Sequence, residues 1–414
     1  MIKATKQITR HVLVSALMAM SIGSSAQTAL AMSGGSGPFL DTLFQESAKN
    51  GVSQKVFEEA FREFKLDPTI RRLRNTQPEF VSPIGDYISK RVTENRIETG
   101  QLKLRQFKTT LSDIQRRYGV PPEIILSIWG NETNYGSFVG GRNVIHSIAS
   151  LIHEGYREKF FRKELIAALL ITQNGHIRSR EMQGSWAGAM GQTQFMPTSF
   201  KAYAVDYDGD GRKDIWTSYE DAFASTANYL QRSGWQKGQP WGWEVRLPSR
   251  LDVAKALKLN QAALIEWEKL GIRRADGQPF HSNTRTARLF LPAGLNGPAF
   301  LVLKNFDVIK RYNNSDSYAL AVAYLGDRIR GSAELRRTWP VDAIPISRSE
   351  TRELQTRLGR LGYRVGDQDG RVGPLTRISV LQFQKRNGLI PDAFPGREVL
   401  EQVRQRSLPT TGGN

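Results

Sequence analysis

The chain has 414 residues but no cysteine and only five histidines. The lack of cysteine excludes disulfides, thiol catalysis and cysteine-ligated zinc, and it leaves no thiol near the N-terminus to carry a lipid anchor. The histidines do not form an H-E-x-x-H pattern, so we expect no catalytic zinc site. A G-x-S-x-G pattern is also absent, and a serine nucleophile therefore lacks support.

Long apolar runs are scarce as well. The one near the N-terminus, "VLVSALMAMSIG" at 12–23, is short for a bilayer span. It follows three basic residues and precedes the small residues "ALA" at 29–31. This order predicts a secretory signal peptide over 1–31 that is cut after Ala31, and the alternative is an uncleaved membrane anchor. No later run is long enough to span a membrane.

Acidic residues are too few to balance the basic ones, and the formal net charge is +18. Removal of the predicted signal peptide deletes three cations and no anions, which leaves +15. An exported protein this basic is expected to bind a polyanion, for which an anionic cell wall or an acidic membrane surface fits better than nucleic acid. A generally basic proteome would explain the charge equally well.

The mature chain predicts an α+β protein that is mostly α. Helical periodicity covers 39–110, most of 111–235 and 306–332. Between 240 and 305 the chain is mixed, with short strands in "EVRLP" and "PAFLVLKNF" around a helix at 252–268. We expect a large domain over 38–337, a proline-marked linker over 338–349 and a small helical domain over 350–406.

The stretch "SIWGNETNYG", residues 127–136, places one carboxylate at the end of an apolar run. Helical spacing puts Glu132 on the same face as Ile125, Ile128 and Trp129. Loss of hydration beside apolar and aromatic surface should raise the pKa of Glu132, so that it stays protonated near neutral pH and acts as a general acid. The alternatives are an ordinary helix-end residue, or an acid whose partner lies elsewhere in the chain.

A second stretch, "GSWAGAMGQTQFMP" at 184–197, combines small residues with neutral polar and aromatic ones. Such a mixture suits a sugar chain, which presents hydroxyls and apolar ring faces together. A tight contact between helices is the alternative. The polar side chains are Ser185, Gln192, Thr193 and Gln194, and the stacking faces are Trp186 and Phe195.

The third stretch, "DYDGDGRKDIW" at 206–216, matches the start of a calcium-binding loop. Four acids within nine residues repel one another unless a cation is present. Thr217 at the twelfth position lacks the usual carboxylate, so Glu220 or Asp221 would have to close the site. We expect a structural Ca²⁺ and no cofactor for catalysis, with a solvated turn as the alternative. The expected ligands are Asp206, Asp208, Asp210, the Arg212 carbonyl, Asp214 and Glu220.

These three stretches, followed by "ANYLQRSGW" and "FLVLKNFDVIKRYNNSDSYALAV", resemble the membrane-bound lytic transglycosylase B family, in order, over about 38–332. The resemblance implies a lysozyme-like core with added α and small β subdomains. It implies cleavage of the bond between N-acetylmuramic acid and N-acetylglucosamine in peptidoglycan, with Glu132 as the sole acid/base. It also implies glycan contacts from Ser185 and Gln194, and it supports Glu220 as the closing calcium ligand.

Four further residues are carried over less firmly from the resemblance. Tyr229, Tyr312 and Asn313 match positions of the family's cleft, and Arg157 is a candidate for a peptide or carboxylate contact. One departure is that several family members are lipoproteins, whereas this chain has no cysteine to lipidate. We therefore expect a soluble periplasmic form.

A single acid is sufficient if the substrate supplies the second group. Glu132 would protonate the glycosidic oxygen, and the C6 hydroxyl of the muramic acid residue would attack C1 in place of water. The ionised Glu132 would then take the hydroxyl proton, which leaves a 1,6-anhydro ring. A hydrolase would instead need a second carboxylate.

The C-terminal stretch "ELQTRLGRLGYRVGDQDGRVGPLTRISVLQFQKRNGLIPDAFPG" at 353–396 resembles a three-helix peptidoglycan-binding domain. One departure is "DAFPG", where a second Asp-Gly turn is usual, so the later turn should differ. The resemblance implies that the domain tethers the enzyme to its substrate and so raises the local substrate concentration.

Three hypotheses remain open from the sequence. The first is a lytic transglycosylase, the second a hydrolytic muramidase that pairs Glu132 with an aspartate of 206–221, and the third a wall-binding scaffold without activity. The expected partner in each is peptidoglycan. The sequence names no protein partner, and complexes with other wall enzymes stay open.

Overall fold

Helices account for most of this computed structural model, which describes residues 37–75, 82–280 and 285–407. The predicted signal peptide and His281 lie outside these residues. The described residues fall into two units, of which 37–46, the beginning of a helix, belong to one and the described residues from 47 onward to the other. None of the helices in the described ranges is long and apolar enough to cross a membrane.

Eighteen helices and seven strands are found in the described ranges, with a 3-10 helix at Ser179–Glu181. The helices are α1 (Gly37–Lys49), α2 (Gln54–Phe61), α3 (Thr69–Asn75), α4 (Ile84–Arg91), α5 (Glu94–Gln106), α6 (Lys108–Tyr118), α7 (Pro122–Thr133), α8 (Val144–His153), α9 (Glu158–Gln173), α10 (Pro197–Tyr203), α11 (Tyr219–Arg232), α12 (Val253–Leu259), α13 (Leu264–Lys269), α14 (Lys304–Tyr312), α15 (Asp316–Arg330), α16 (Arg348–Arg360), α17 (Pro374–Arg386) and α18 (Arg397–Arg406). The strands are β1 (Arg142–Asn143), β2 (Gln183–Gly184), β3 (Gly242–Arg246), β4 (Ala262–Ala263), β5 (Arg273–Arg274), β6 (Thr286–Phe290) and β7 (Ala299–Val302).

Helix α7 lies at the centre of the main core. Its first residue is Pro122, at a position where the missing N–H of proline has little effect. Nine of its twelve residues are buried. Helix α15 packs along it, and α5, α6 and α11 pack on its other sides. The Ser127 hydroxyl donates to the Val322 carbonyl of α15 at 2.6 Å, so even the polar residue of this helix is satisfied inside the core.

The helix around Glu132 therefore differs from the amphipathic one that we expected. Buried residues surround α7 on every side, and a helix that is apolar all round belongs in the interior of a protein. Spacing along the chain could identify one buried face of α7. It could not show that the remaining faces are also covered, because the covering helices come from distant parts of the sequence.

The mixed segment forms a five-stranded antiparallel sheet in the order β4-β6-β7-β3-β5. The central strand β7 is buried on both sides. Phe300 and Val302 belong to the main core, while Ala299 and Leu301 belong to a second core under the sheet. This alternation follows from the two-residue period of a strand, and it joins the sheet to the helical core.

Two details of this segment differ from the prediction. The single helix expected at 252–268 is two helices, α12 and α13, because the chain takes a positive φ of 48° at Asn260 and then forms β4. Strand β6, which lies between β4 and β7, was not predicted from the sequence. The strands predicted in "EVRLP" and "PAFLVLKNF" are present as β3 and β7.

The C-terminal residues form the three helices that were predicted, α16 to α18, around a core of their own. Helix α16 begins at Arg348, inside the segment predicted as a linker. A capping box starts it, in which Ser347 accepts from the Glu350 N–H and Glu350 accepts from the Ser347 N–H. Reciprocal bonds of this kind satisfy backbone donors that would otherwise be unpaired.

The start of the predicted linker and the two residues before it are held against the large domain. Trp339 packs against the main core. The backbone N–H groups of Arg336 and Arg337 donate to the Glu244 carboxylate of β3, at 2.9 and 3.1 Å. The Arg337 guanidinium also donates to the Leu295 carbonyl at 2.9 Å. Such contacts give the connection a defined path along the large domain.

The turn "DAFPG" contacts the large domain as well. Ala393 has a positive φ of 59°, and its methyl group is buried in a small apolar cluster with Leu381 of α17 and Val253 of α12. The Asp392 carboxylate accepts a backbone hydrogen bond from Leu295. The residues that differ from the usual Asp-Gly turn therefore take part in the contact between the two domains.

Candidate active site

A tight turn follows α7 directly after Glu132 and Thr133. The next three residues, Asn134, Tyr135 and Gly136, have positive φ values of 50°, 56° and 84°. The turn brings the Tyr135 ring back onto the helix, where a Cβ atom on Gly130 would lie 2.7 Å from the ring carbon Cζ. Glycine at 130 permits this close approach, and the approach fixes the end of the helix that carries Glu132.

Glu132 is half-buried, and its Oε1 accepts a hydrogen bond of 2.6 Å from the Tyr318 hydroxyl of α15. Burial raises the pKa of Glu132 to about 7, while the Tyr318 hydrogen bond and the charge of Arg91 act in the opposite direction. Arg91 is held by its bond to the Asn131 carbonyl at 3.0 Å. The raised pKa predicted from the sequence is confirmed, and the carboxyl can exchange a proton near neutral pH.

The side chain that hydrogen-bonds to the Glu132 carboxyl is Tyr318, whereas the sequence predicted Trp129 as its neighbour. The Trp129 indole N–H donates to Gln192 Oε1 at 2.8 Å. Gln192 in turn donates from Nε2 to the Trp216 carbonyl at 3.1 Å. Gln192 thus connects α7 to the end of the acidic loop, residues 206–216, a role that its residue type did not reveal.

Two tyrosines beside Glu132 remain protonated. Burial raises the pKa values of both Tyr312 and Tyr318 well above the ordinary value, and the charge of Glu132 adds to the effect. The Tyr312 hydroxyl donates to the Thr193 carbonyl at 2.7 Å. Tyr318 therefore acts as a donor to the carboxylate. Sequence reasoning missed Tyr318, although it lies in the quoted block "YNNSDSYALAV".

Arg91 is the charged side chain that acts on the pKa of Glu132, and in the described residues no hydrogen bond joins Glu132 to a second carboxyl group. One acid near the loop 206–216, Asp221, is occupied elsewhere. Asp221 is fully buried and accepts from the backbone N–H groups of Tyr207 and Asp214, each at 2.7 Å. These bonds argue against Asp221 as the second carboxylate that a hydrolase would need.

The loop between β2 and α10 holds two of the predicted glycan-binding residues. Ser185 Oγ accepts from the Ala189 N–H at 3.0 Å, so its own hydroxyl hydrogen is available for a ligand. Gln194 donates from Nε2 to the Val139 and Gly191 carbonyls at 3.1 and 3.0 Å. Both side chains are half-buried and held by the loop itself.

An aromatic cluster joins this loop to Tyr312. The Tyr229 and Tyr312 rings lie 4.9 Å apart, and Phe195 lies within 5.8 Å of each. The Tyr229 hydroxyl donates to the Arg311 carbonyl. The predicted residues Tyr229 and Tyr312 are therefore brought together, and Tyr312 links them to Glu132.

Two predicted residues occupy less central positions. Asn313 is exposed and caps the end of α14 in an extended conformation. Arg157 is exposed at the start of α9, and its guanidinium lies 4.2 Å from the centre of the Phe160 ring. Its charge also acts on Glu164 of the same helix. The described contacts of Arg157 thus lie within α9.

The acidic loop brings three of the predicted ligands together. Carboxylate oxygens of Asp206, Asp208 and Asp210 lie within 4.8 Å of one another. Oxygens that bind one Ca²⁺ at about 2.3–2.6 Å lie no more than about 5 Å apart, so this spacing fits a single cation. Asp206 also accepts from the N–H groups of Gly209 and Gly211 at 2.8 and 2.9 Å, which fixes the loop around it.

The other predicted ligands differ in their arrangement. Both oxygens of Asp214 serve the next turn, where they accept from the backbone N–H groups of Trp216 and Thr217 and from the Thr217 hydroxyl. Arg212 pairs with Asp210 at 3.1 Å through its guanidinium. Glu220, in the first turn of α11, is half-buried and lies outside the group of three acids.

Comparison with protein-family models gives two matches. A model described as the transglycosylase SLT domain matches residues 36–327. A model described as a peptidoglycan binding domain matches residues 347–403.

Known relatives agree with these matches. The membrane-bound lytic murein transglycosylase B of Escherichia coli K12 is 32% identical over 306 residues, which cover 70% of this chain and 81% of that protein. Among solved structures, SltB3 of Pseudomonas aeruginosa in complex with NAG-anhNAM-pentapeptide is 43% identical, with a TM-score of 0.83 over 89% of this chain and 98% of that chain. Escherichia coli Slt35 in complex with calcium is 29% identical, with a TM-score of 0.62 over 74% of this chain and 97% of that one. The predicted fold class, mostly helical with a small sheet and a C-terminal binding domain, is confirmed.

The bond from Tyr318 generates a prediction about Glu132. A hydrogen bond to a charged group contributes about 1.5–3 kcal/mol, and it favours the ionised form. Replacement Tyr318→Phe should therefore raise the pKa of Glu132 further, by about one to two units. A carbon-13 NMR titration of the Glu132 side-chain carboxyl measures it, with Glu132→Gln to assign the signal.

The matched control is Tyr87→Phe. Tyr87 lies close enough to feel the charge of Glu132, but its replacement leaves the Tyr318 hydrogen bond in place. An unchanged or lowered pKa of Glu132 in Tyr318→Phe would contradict the role assigned to this bond.

Proposed function

This chain belongs to the transglycosylase SLT domain family, and from that premise we propose that it is a lytic transglycosylase that cuts the glycan strands of peptidoglycan. The bond cleaved is the β-1,4 bond between N-acetylmuramic acid and N-acetylglucosamine, and the product ends in a 1,6-anhydro ring. The observation that carries the proposal is a single half-buried carboxyl, Glu132, with a pKa of about 7 and no described acidic partner.

Glu132 acts first as the general acid. In its protonated form it donates to the glycosidic oxygen, so that the bond from this oxygen to C1 of the muramic acid residue breaks without a free alkoxide leaving. Burial keeps the proton available near neutral pH. The charge that develops on Glu132 after the transfer is stabilised by the Tyr318 hydroxyl at 2.6 Å and by the charge of Arg91.

Glu132 then acts as the general base. The C6 hydroxyl of the same muramic acid residue attacks C1, and the Glu132 carboxylate takes its proton, which returns the enzyme to its initial state. A pKa close to the working pH suits a group that must both give and accept a proton. Attack from within the substrate requires no second carboxylate, in agreement with the surroundings of Glu132.

The loop and the aromatic cluster bind the sugar chain in this proposal. Ser185 would donate its hydroxyl hydrogen, and Gln194 would accept through Oε1 because its amide N–H groups are engaged. Tyr229 and Tyr312 provide apolar faces for sugar rings, and Asn313 extends the polar edge of the cleft. Arg157 stays a candidate for an acidic group further along the substrate.

A hydrolytic muramidase is the main alternative, and it would need an aspartate of 206–221 as its second carboxylate. The hydrogen bonds of Asp214 and Asp221 argue against that role, because these bonds already engage both residues in the fold of the loop. A wall-binding scaffold would not require a carboxyl with a pKa near 7.

We further propose a structural Ca²⁺ in the acidic loop. Asp206, Asp208 and Asp210 would supply carboxylate oxygens, Arg212 its carbonyl, and Glu220 the closing ligand. Asp214 is assigned to the turn that supports them. The relative Slt35, whose structure was determined in complex with calcium, supports this assignment.

The proposal assigns the large domain over 38–337 to catalysis and the small domain over 350–406 to binding of the wall. We propose that residues 1–31 direct export and are removed after Ala31, which places the mature protein in the periplasm with its substrate. The net charge of about +15 then favours an anionic wall.

The first test is mass spectrometry of fragments from purified peptidoglycan incubated with residues 32–414. We expect fragments that end in 1,6-anhydromuramic acid. Glu132→Gln should lower the rate by at least about a thousandfold, because the variant can neither donate nor accept the proton.

The control for this substitution is Glu123→Gln, at the other end of the same helix. Glu123 pairs with Arg330 at 3.5 Å, and its replacement should change the rate less than about twofold, because nine residues of helix, about 13 Å, separate it from Glu132. Fragments with free reducing ends would mean that water attacks C1, and the lytic assignment would then fail.

The second test concerns the cation. Addition of calcium to chelator-treated protein should raise the melting temperature, since a ligand that binds only the folded state adds about 2.7 kcal/mol at a hundredfold excess over its Kd. Asp208→Asn should remove most of this calcium-dependent increase, because it deletes one charged ligand.

The matched control is Asp367→Asn, which neutralises an exposed aspartate in the C-terminal domain. It should keep the full response to calcium. A melting temperature that changes with neither calcium nor chelator would exclude the calcium site.

A further inference from the structure

A second cavity lies where the C-terminal domain meets the sheet and the turn between α14 and α15. Its volume is about 260 Å³. An adjoining cavity of about 460 Å³ shares Phe290, Leu291, Asp316, Val372 and Arg377 with it. Together they fall in the range of about 300–1,000 Å³ that is usual for small-ligand sites.

Contact between the two domains creates this cavity. On one side, Asp392 and Ala393 of the C-terminal domain form part of its wall. On the other side, the large domain approaches so closely at Gly294 that a Cβ atom there would lie 2.1 Å from Asp392 Oδ2. Gly294 also has a positive φ of 69°. The wall of the cavity therefore depends on a docking contact that only glycine permits.

Most of the charges that line the cavity are paired. Lys310 lies 2.7 Å from Asp316 Oδ1, and Arg288 lies 3.2 Å from Asp307. Arg377, on α17, is different: no hydrogen bond or ion pair joins its guanidinium to another residue in the part of the chain that the structure describes. Asp316 and Asp392 attract it only through space, Arg288 repels it, and burial lowers the pKa of Arg377.

An arginine in this state indicates a missing anion. Arg377 is half-buried and has donors without a protein partner, and the planar guanidinium matches a carboxylate through two parallel hydrogen bonds. Phe290, Leu291 and Val372 line the same cavity. The surroundings thus combine one unpaired cation with apolar surface, which suits a short peptide that carries a carboxylate.

One short segment of the chain, residues 312–318, borders both the proposed cleft and the cavity. Tyr312 at the end of α14 is close enough to feel the charge of Glu132, and Tyr318 in the first turn of α15 donates to it. Between them, Asn314 and Asp316 line the cavity. The segment 312–318 thus contributes residues to both the proposed cleft and the cavity.

We propose that this cavity binds the stem peptide of peptidoglycan and that Arg377 pairs with a carboxylate of that peptide. The inference rests on the proposed function, because it takes the glycan in the cleft as given. A stem peptide branches from the muramic acid residue and carries carboxylate groups, so it has both the position and the charge that the cavity requires. Arg377 would then contribute to the choice between peptide-bearing and bare glycan.

The experiment measures binding without turnover. Full-length mature protein with Glu132→Gln is titrated calorimetrically with GlcNAc-MurNAc-pentapeptide and with the same disaccharide without peptide. The peptide-bearing ligand should bind at least about tenfold more tightly, as expected of a hydrogen bond between charged groups. Addition of Arg377→Gln should reduce this preference to less than about threefold and leave the bare disaccharide unaffected.

The matched control is Lys385→Gln, which removes one positive charge from an exposed position of the same helix. It should keep the preference intact, so that a general loss of charge is separated from the loss of Arg377. Equal affinity of the Glu132→Gln protein for both ligands would overturn the proposal. So would a preference that survives Arg377→Gln, or an equal weakening of both ligands.

A second variant tests the cavity without touching Arg377. Gly294→Ala should open the docking contact and abolish the preference. Gly277→Ala, with a φ of 82° and no atom within 4 Å of the added Cβ, introduces similar backbone strain and should retain it. Retention of the preference in Gly294→Ala would count against the cavity.

The outcome is independent of the reaction product. If the protein prefers the peptide-bearing ligand but its products have free reducing ends, the proposed lytic reaction is refuted. The stem-peptide site is then still supported. A protein that forms 1,6-anhydro ends without any preference would do the reverse.

Discussion

The account depends on the burial of one carboxyl at the end of a helix that has no exposed face. Because α7 is covered on all sides, Glu132 loses much of its hydration, and its pKa rises to about 7. The helices around α7 also limit that rise. Helix α15 supplies the Tyr318 hydroxyl and α4 supplies the charge of Arg91. The two opposing effects leave a group that can both donate and accept a proton near neutral pH, which is the requirement for a reaction with one acid/base.

The same packing connects the proposed chemistry to recognition of the wall. The segment 312–318, which joins the end of α14 to the start of α15, has Tyr312 and Tyr318 beside Glu132 and has Asn314 and Asp316 at the cavity under the C-terminal domain. The segment between the domains is held by Glu244 and by the main core. The small domain thus has a defined contact with the large one, and its contribution extends beyond the tethering that the sequence implied. A stem-peptide site at this contact would position the glycan as well as retain it.

Part of this structure could be predicted from the sequence. The remainder depends on contacts between distant residues, which local sequence patterns do not show. The helix around Glu132, the direction of its pKa shift and the three C-terminal helices follow from spacing along the chain. Tyr318 could not be predicted in this way, because it is 186 residues from Glu132 and the pair forms only through the packing of α15 on α7. Strand β6 and the break at Asn260 likewise depend on pairing between distant strands. Asp214 matched the spacing of a calcium ligand, but the turn that follows it occupies both of its oxygens.

The central claim is that burial raises the pKa of Glu132, and the difference in unfolding free energy between Glu132→Gln and the unmodified protein tests it most directly. A folded-state pKa of about 7, above the ordinary value of 4.5, means that the unmodified protein loses stability as the pH rises from about 4.5 to about 7. The two proteins share all other titratable groups, so the contributions of those groups cancel in the difference. Glutamine does not titrate, and the pH dependence that remains is that of Glu132. The account predicts similar stabilities at pH 4 and a Glu132→Gln variant that is more stable by about 3 kcal/mol at pH 8. A difference that does not change with pH would show that Glu132 has an ordinary pKa in the folded protein, and it would contradict the account.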